Sequence, residues 1–271
     1  MSVKHSKYLI WLVAICISAC SMEGVREDAD ELFAEGEYEA AAAKYDLVIK
    51  YEPDDSYALY NRGRAREEIG EFDGAYTDYS KLISMRRNTK LALMARARCS
   101  YQLENYKGVV MDLNSLIRTE PNHLDALQLR GKSYNKLGES EKAIEDLTRV
   151  IKKEPDNIDA RISRGAAYAR YGMGPWAIRD FEHCLTIEPN LPVAHFNMGA
   201  VYIYHEYWSE AIRYFKKAIA QDEDYAEAYT RMGIAKFNSS NYSMGQACAD
   251  FNKGDELGDD FATEWVTKYC R

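Results

Sequence analysis

The sequence predicts an all-α solenoid of about seven helix-turn-helix repeats, closed by a C-terminal helix. Three observations predict it. Gly63, Gly131, Gly165, Gly199 and Gly233 recur every 34 residues, with Ala97 in the vacant place. Small residues recur on a second lattice at Ala41, Ala75, Val109, Ala143, Ala177, Ala211 and Gly245, and large apolar ones on a third at Tyr45, Tyr79, Leu113, Leu147, Phe181 and Phe215. Pro53, Pro121, Pro155 and Pro189 mark a fourth. A fixed period of this length means stacked helix pairs, each burying its apolar face on its neighbours, and argues for one continuous array in a 271-residue chain.

Residues 1–19 stand outside the repeats. Lys4 and Lys7 precede an apolar run from Tyr8 to Ala19, the length of a signal-peptide core. The run ends in Ile17-Ser18-Ala19-Cys20, which resembles the lipobox of bacterial lipoproteins. The resemblance implies lipid on Cys20, removal of the preceding peptide, and a cell-envelope protein anchored in the membrane by several acyl chains. The alternative is an ordinary secretory signal with an incidental Cys20. Ser21, by resemblance to the enterobacterial sorting rule, points to the outer membrane, on its periplasmic face or at the cell surface. Removing residues 1–19 takes away two lysines and no acid, moving the net charge from −8 to −10. That balance argues against nucleic-acid binding through a basic surface. No stretch approaches the roughly 20 apolar residues of a membrane span.

Residues 20–25 read as a lipidated tether. Placing the prolines at repeat position 32 gives units 22–55, 56–89, 90–123, 124–157, 158–191, 192–225 and a divergent 226–259. Gly36, Gly70, Gly138 and Gly172 fall at the turn between the two helices of a unit, where a left-handed C-cap residue is favoured. In the last unit Lys253-Gly254 falls where the second helix should continue, so the frame is lost there. Residues 260–271, with Phe261, Trp265, Val266 and Tyr269, read as an amphipathic terminal cap.

The pattern resembles the tetratricopeptide repeat, W-x2-L-G-x2-Y…A-x3-F…P. Its glycine is met by the first lattice, its tyrosine by Tyr134, Tyr168 and Tyr202, and its alanine, second aromatic and proline by the other three lattices. The resemblance covers residues 22 to about 250 and implies a right-handed solenoid. The segment from Ala247 to Cys270 also looks like the C-terminal ends of tetratricopeptide lipoproteins of the Bacteroidetes. The family Trp is replaced by Leu59, Leu93, Leu127, Arg161, His195 and Tyr229. The family Leu at repeat position 7 is replaced by Arg62, Arg96, Arg130 and Arg164, while position 23 reads Asp78, Asp112, Asp146 and Asp180. In the first unit the signs reverse, Asp28 with Lys44, and in the sixth both charges vanish, Met198 with Tyr214. Charges that swap or vanish together predict a ladder of Arg–Asp pairs inside each hairpin; the alternative is two solvated stripes.

Cys99 and Cys184 fall on core positions and read as small buried hydrophobes. Cys248 and Cys270 lie on what should be neighbouring antiparallel helices, and in an oxidising envelope a disulfide is expected; the alternative is two free thiols. No catalytic constellation is legible, and neither a cofactor nor a metal site is expected. His205-Glu206 begins like a metalloprotease helix, but Ser209 stands where the second His would be.

By resemblance, the first helix of each pair lines the binding surface through repeat positions 2, 5, 9, 12 and 13. The expected groove residues are Tyr57, Tyr60, Arg64, Met94, Arg98, Tyr101, Gln128 and Lys132, followed by an apolar half with Phe196, Tyr204 and Phe237. Arg64, Arg98 and Lys132 share position 9 and form a basic line suited to acidic groups. The alternative is that neighbours such as Glu67 and Glu68 neutralise it. The expected function is a non-catalytic scaffold that binds a protein or peptide partner, and no nucleic acid, in assembly of an envelope or secretion complex. A ligand-capture module for glycan or peptide uptake is the rival reading.

Overall fold

The computed structural model describes residues 22–87 and 89–270. The signal segment 1–19 and Cys20 lie outside the described residues. Among those described there are fifteen helices and no strand. They are α1 (22–34), α2 (Tyr38–Tyr51), α3 (Ser56–Glu68), α4 (Phe72–Ser84), α5 (Thr89–Gln102), α6 (Tyr106–Thr119), α7 (Leu124–Lys136), α8 (Ser140–Lys153), α9 (Ile158–Arg170), α10 (Gly174–Ile187), α11 (Pro192–Tyr204), α12 (Trp208–Gln221), α13 (Ala226–Asn238), α14 (Met244–Glu256) and α15 (Asp260–Tyr269). None of them is long and apolar enough to cross a membrane. Residues 22–25, expected as tether, already belong to α1: Met22 is buried and Val25 packs against the core around Tyr45. The protein divides into two compact units between Leu129 and Arg130.

In the first unit the hairpins pack through the predicted lattices. Tyr79 lies flat on α3 at Gly63, where an added Cβ would stand 2.7 Å from the ring. In the second unit Phe181 makes the same approach to Gly165, with 2.4 Å left. A glycine at position 8 is therefore the space that a large residue at position 24 fills. The inter-helix turns close in the left-handed region, with Gly36 at φ 84° and Gly172 at φ 84°. The Glu37 amide donates to the Leu32 carbonyl and the Gly36 amide to that of Phe33, the paired bonds of a Schellman motif. Glu104 and Glu206 hold the same place at φ 57° and 61°, so the turn persists where its glycine does not.

The position-7 arginines and position-23 aspartates meet. Arg96 donates through Nε to Asp112 at 2.8 Å and through Nη2 at 2.5 Å. Arg62 clasps Asp78 in the same two-point fashion, with Nε at 2.9 Å. In the second unit Arg130 holds Asp146 at 2.7 Å twice, and Arg164 holds Asp180 at 2.8 and 2.7 Å. All four aspartates are buried. The reversed pair, Lys44 to Asp28 at 2.9 Å, is exposed. The third guanidinium nitrogen reaches back to the second helix of the preceding hairpin: Arg62 to Asp46, Arg96 to Ser80 at 3.0 Å, Arg164 to Thr148 at 3.1 Å. One side chain thus ties three helices. In the sixth hairpin Met198 is buried, and Tyr214 stacks on Tyr202 at 5.3 Å instead.

The last hairpin does not lose its second helix. α14 runs through Gly254, where a Cβ would stand 2.4 Å from Thr230 Oγ1 of α13 and 3.1 Å from the Ala262 Cβ, so this glycine admits both α13 and α15. The slip lies in the turn, which spans residues 239–243 where the preceding hairpin uses 205–207. Phe251 accordingly takes the place opposite Gly233. Trp265 of α15 stacks on Phe251 at 5.0 Å, and Cys248 is bonded to Cys270 with Cα atoms 5.5 Å apart. Closing a loop of 22 residues stabilises by about 3 kcal/mol when only the entropy of the unfolded state is considered. Cys99 and Cys184 are buried, and burial pushes their thiols up to about 12 and about 11, away from thiolate chemistry.

Removing one partner of a rung strands a buried charge. Arg96→Ala is expected to cost about 3–5 kcal/mol in urea unfolding, and Arg96→Ala/Asp112→Ala less than the sum of its single variants. Additive losses would mean that the pair acts as two independent groups.

Candidate partner-binding surface

The first helices of the unit ending at Leu129 present the expected aromatic and basic residues, each already engaged. Tyr57, 48% exposed at the start of α3, donates its hydroxyl to Asp30 Oδ2 at 2.7 Å. That hydrogen bond raises the Tyr57 pKa above the usual phenol value. Asp30 also accepts from the buried Tyr45 hydroxyl. The Arg64 guanidinium lies 4.5 Å over the Phe33 ring. Arg98 donates to Glu67 at 3.2 and 3.4 Å, and Glu67 accepts in addition from Tyr79 Oη at 2.5 Å. Burial, followed by the Glu67 charge, pushes the Tyr79 pKa far up, so it remains a donor at any physiological pH. Tyr60 packs 5.7 Å from the Tyr79 ring, and Tyr101 sits edge-on to Tyr106 at 5.3 Å. Met94 and Gln128 are half-buried.

In the unit beginning at Arg130, Lys132 bonds Asp159 at 3.0 and 3.2 Å. Tyr204 is 70% exposed, its ring edge-on to His205. Phe196 is not available as a groove anchor: it is buried, stacked on Tyr225 at 4.9 Å and tilted against Phe215 at 5.6 Å. Tyr225 precedes α13 and folds over it, so an apolar side chain at position 5 is drawn into the core. Phe237, also expected in the apolar half, is covered by Trp265 at 5.4 Å and Tyr269 at 4.9 Å from α15.

Phe33 under Arg64 and Asp159 beside Lys132 stand at positions 12 and 2, two of the lining positions, though neither is among the expected groove residues. Both follow a rule readable in the sequence. Position 9 meets position 12 of the preceding repeat, as for Arg64 on Phe33 and Arg98 on Glu67, or position 2 of the next, as for Lys132 on Asp159.

Sequence models of the tetratricopeptide repeat match residues 27–85, 131–172 and 192–225. No curated protein matches the sequence. Among solved structures, a tetratricopeptide repeat protein from Parabacteroides merdae aligns at 21% identity over 93% of this chain and 99% of its own, with a TM-score of 0.75. The C-terminal part of a tetratricopeptide repeat-containing protein from Cytophaga hutchinsonii aligns at 15% identity over 88% and 98%, with a TM-score of 0.65. YrrB, described as having an unusual peptide-binding site, aligns at 22% identity over 68% and 95%, with a TM-score of 0.57. At these identities the likeness is one of fold. The protein carries tetratricopeptide repeats on an all-α solenoid fold, and such repeats serve as scaffolds for protein–protein interaction.

Glu67 joins the surface to the core. Glu67→Ala leaves the buried Tyr79 hydroxyl without its acceptor and is expected to cost about 1–3 kcal/mol in chemical unfolding. Adding Tyr79→Phe should recover most of that loss; no recovery would mean that the hydrogen bond contributes nothing.

Proposed function

We propose that this protein is a non-catalytic, lipid-anchored adaptor of the bacterial cell envelope, which binds a protein or peptide partner on the face of α1, α3 and α5. The observation that carries the reading is the row Tyr57, Arg64 and Arg98, all exposed on the first helices and each held by a neighbour in the preceding repeat. Aromatic and arginine side chains of this kind are the residue types that concentrate binding energy at interfaces. Their exposed ion pair and cation–π contact are individually weak, so a partner's carboxylates can exchange with Glu67 at small cost. Assembly of an envelope or secretion complex is the role that suits an adaptor tied closely to the membrane. Only two residue steps separate Cys20 from Met22 of α1, a reach of about 7 Å.

Two measurements test this. Cys20→Ala is expected to shift the protein from the membrane to the soluble fraction and to abolish labelling by an alkyne-tagged fatty acid; unchanged membrane association would remove the anchor from the proposal. In crosslinking pull-downs from membranes, Arg64→Glu/Arg98→Glu should lose a partner that Lys132→Glu, in the other unit, retains. Retention of every partner by a folded double variant would place binding elsewhere.

A further inference from the structure

A cavity of about 480 Å³ opens between α9 and α10, within the second unit. Three arginines line it: Arg161, Arg164 and Arg179. Arg161 stands where the repeat pattern has Trp, and it changes the local charge balance. The buried Asp180 accepts from Arg164 at 2.8 and 2.7 Å and from Arg161 Nη1 at 3.0 Å, so one carboxylate serves two guanidiniums. The first unit also has a doubled rung, Arg62 and Arg66 on Asp78, but there Asp46 supplies a second carboxylate. Here Thr148 takes the place of that aspartate on the Arg164 side. Arg179 is exposed and has no acidic or hydrogen-bonding partner among the described residues. With Glu182 as the other lining acid, three cations face two anions in a protein whose net charge is −8.

The cavity also has an apolar wall. Trp176 is 50% exposed and lines it, with the Tyr168 ring 6.2 Å away at 34°. The tight α9–α10 turn holds it there: Gly172 adopts φ 84°, and Pro175 sits in the first turn of α10. Pro is pre-set for that position, which fixes the next residue's direction. A single unpaired guanidinium in a cavity that an indole also lines, one positive charge in excess, is matched by a monoanion carried next to an apolar group. A phosphate dianion would overfill that charge.

We propose that this cavity binds a carboxylate next to an apolar or aromatic side chain, as borne by a peptide segment. The carboxylate takes both Arg179 donors in a forked hydrogen bond, and the apolar group lies on Trp176. Two sources share this chemistry, the C-terminus of a polypeptide and an internal Asp or Glu beside an apolar residue.

The test uses the full-length protein in detergent, labelled with ¹⁵N-tryptophan, and follows the Trp176 indole resonance assigned by its loss in Trp176→Phe. The probes are N-acetylphenylalanine, its amide, and N-acetyl-glutamyl-phenylalaninamide. At least one carboxylate probe is expected to saturate the shift in the millimolar range, with the uncharged amide at least about tenfold weaker. Arg179→Gln should weaken the carboxylate probe by about tenfold or more while leaving the other indole resonances in place. Preference for N-acetylphenylalanine assigns a C-terminus; preference for the glutamyl probe assigns an internal acid. Equal binding of acid and amide, an unchanged affinity in Arg179→Gln, or no saturable shift with either carboxylate probe overturns the proposal.

Discussion

A carboxylate buried at position 23 of a hairpin constrains everything around it. Asp78, Asp112, Asp146 and Asp180 are shut away from water by their own helices, and a buried charge without a partner is untenable. The guanidinium at position 7 answers this with two donors and keeps a third nitrogen for the hairpin before. Apolar residues of equal volume often stabilise a site as well as a buried pair does. What the pair adds is direction: a planar fork accepts one carboxylate in one orientation, and so sets how far each second helix slides along its first. The exposed first rung, with its charges reversed and Lys as the cation, has no such task.

The same constraint explains one place where periodicity misleads. Counting in steps of 34 residues puts Cys248 at position 23 of the last hairpin and finds no acid there. The turn at 239–243 is two residues longer, so Asp250 arrives at that place in space. Its cation is Lys236, 2.6 Å away, four residues beyond the usual arginine. Burial raises the Asp250 pKa, with Lys236 opposing that shift. Arg66 approaches Asp78 from the corresponding place at 2.9 Å. The rung is kept while its sequence frame is not. A fixed-period reading cannot see this, because insertion in a turn costs little and is invisible until the helices are placed.

The repeat units and their turns, the glycine and aromatic lattices and the Arg–Asp rungs are legible in the sequence because each repeats, and repetition separates signal from coincidence. The candidate surface is legible only in part. Positions 2, 5 and 9 locate side chains on the first helix, but whether they are open depends on residues outside the pattern. Position 5 puts Phe196 on the surface, and Tyr225, beyond the period's recurring places, buries it. Phe237 is lost to the surface because α15, outside the repeats, lies across it. Terminal and non-repeating residues decide exposure, and they are where a periodic argument has least to say.

Arg96 and Arg98 show why two cations on one helix turn can have opposite roles. Arg96 faces the buried Asp112, and its contact cannot be exchanged without stranding a charge. Arg98 points the other way, to Glu67, with 47% of its side chain exposed. If a ligand carboxylate takes Arg98, Glu67 still accepts from Tyr79 and stays satisfied. The exchange therefore disturbs one screened surface pair and leaves the buried hydrogen bond intact. Position 7 holds the repeat together and position 9 is free to trade partners, and the two differ by a rotation of about 200° around the same helix.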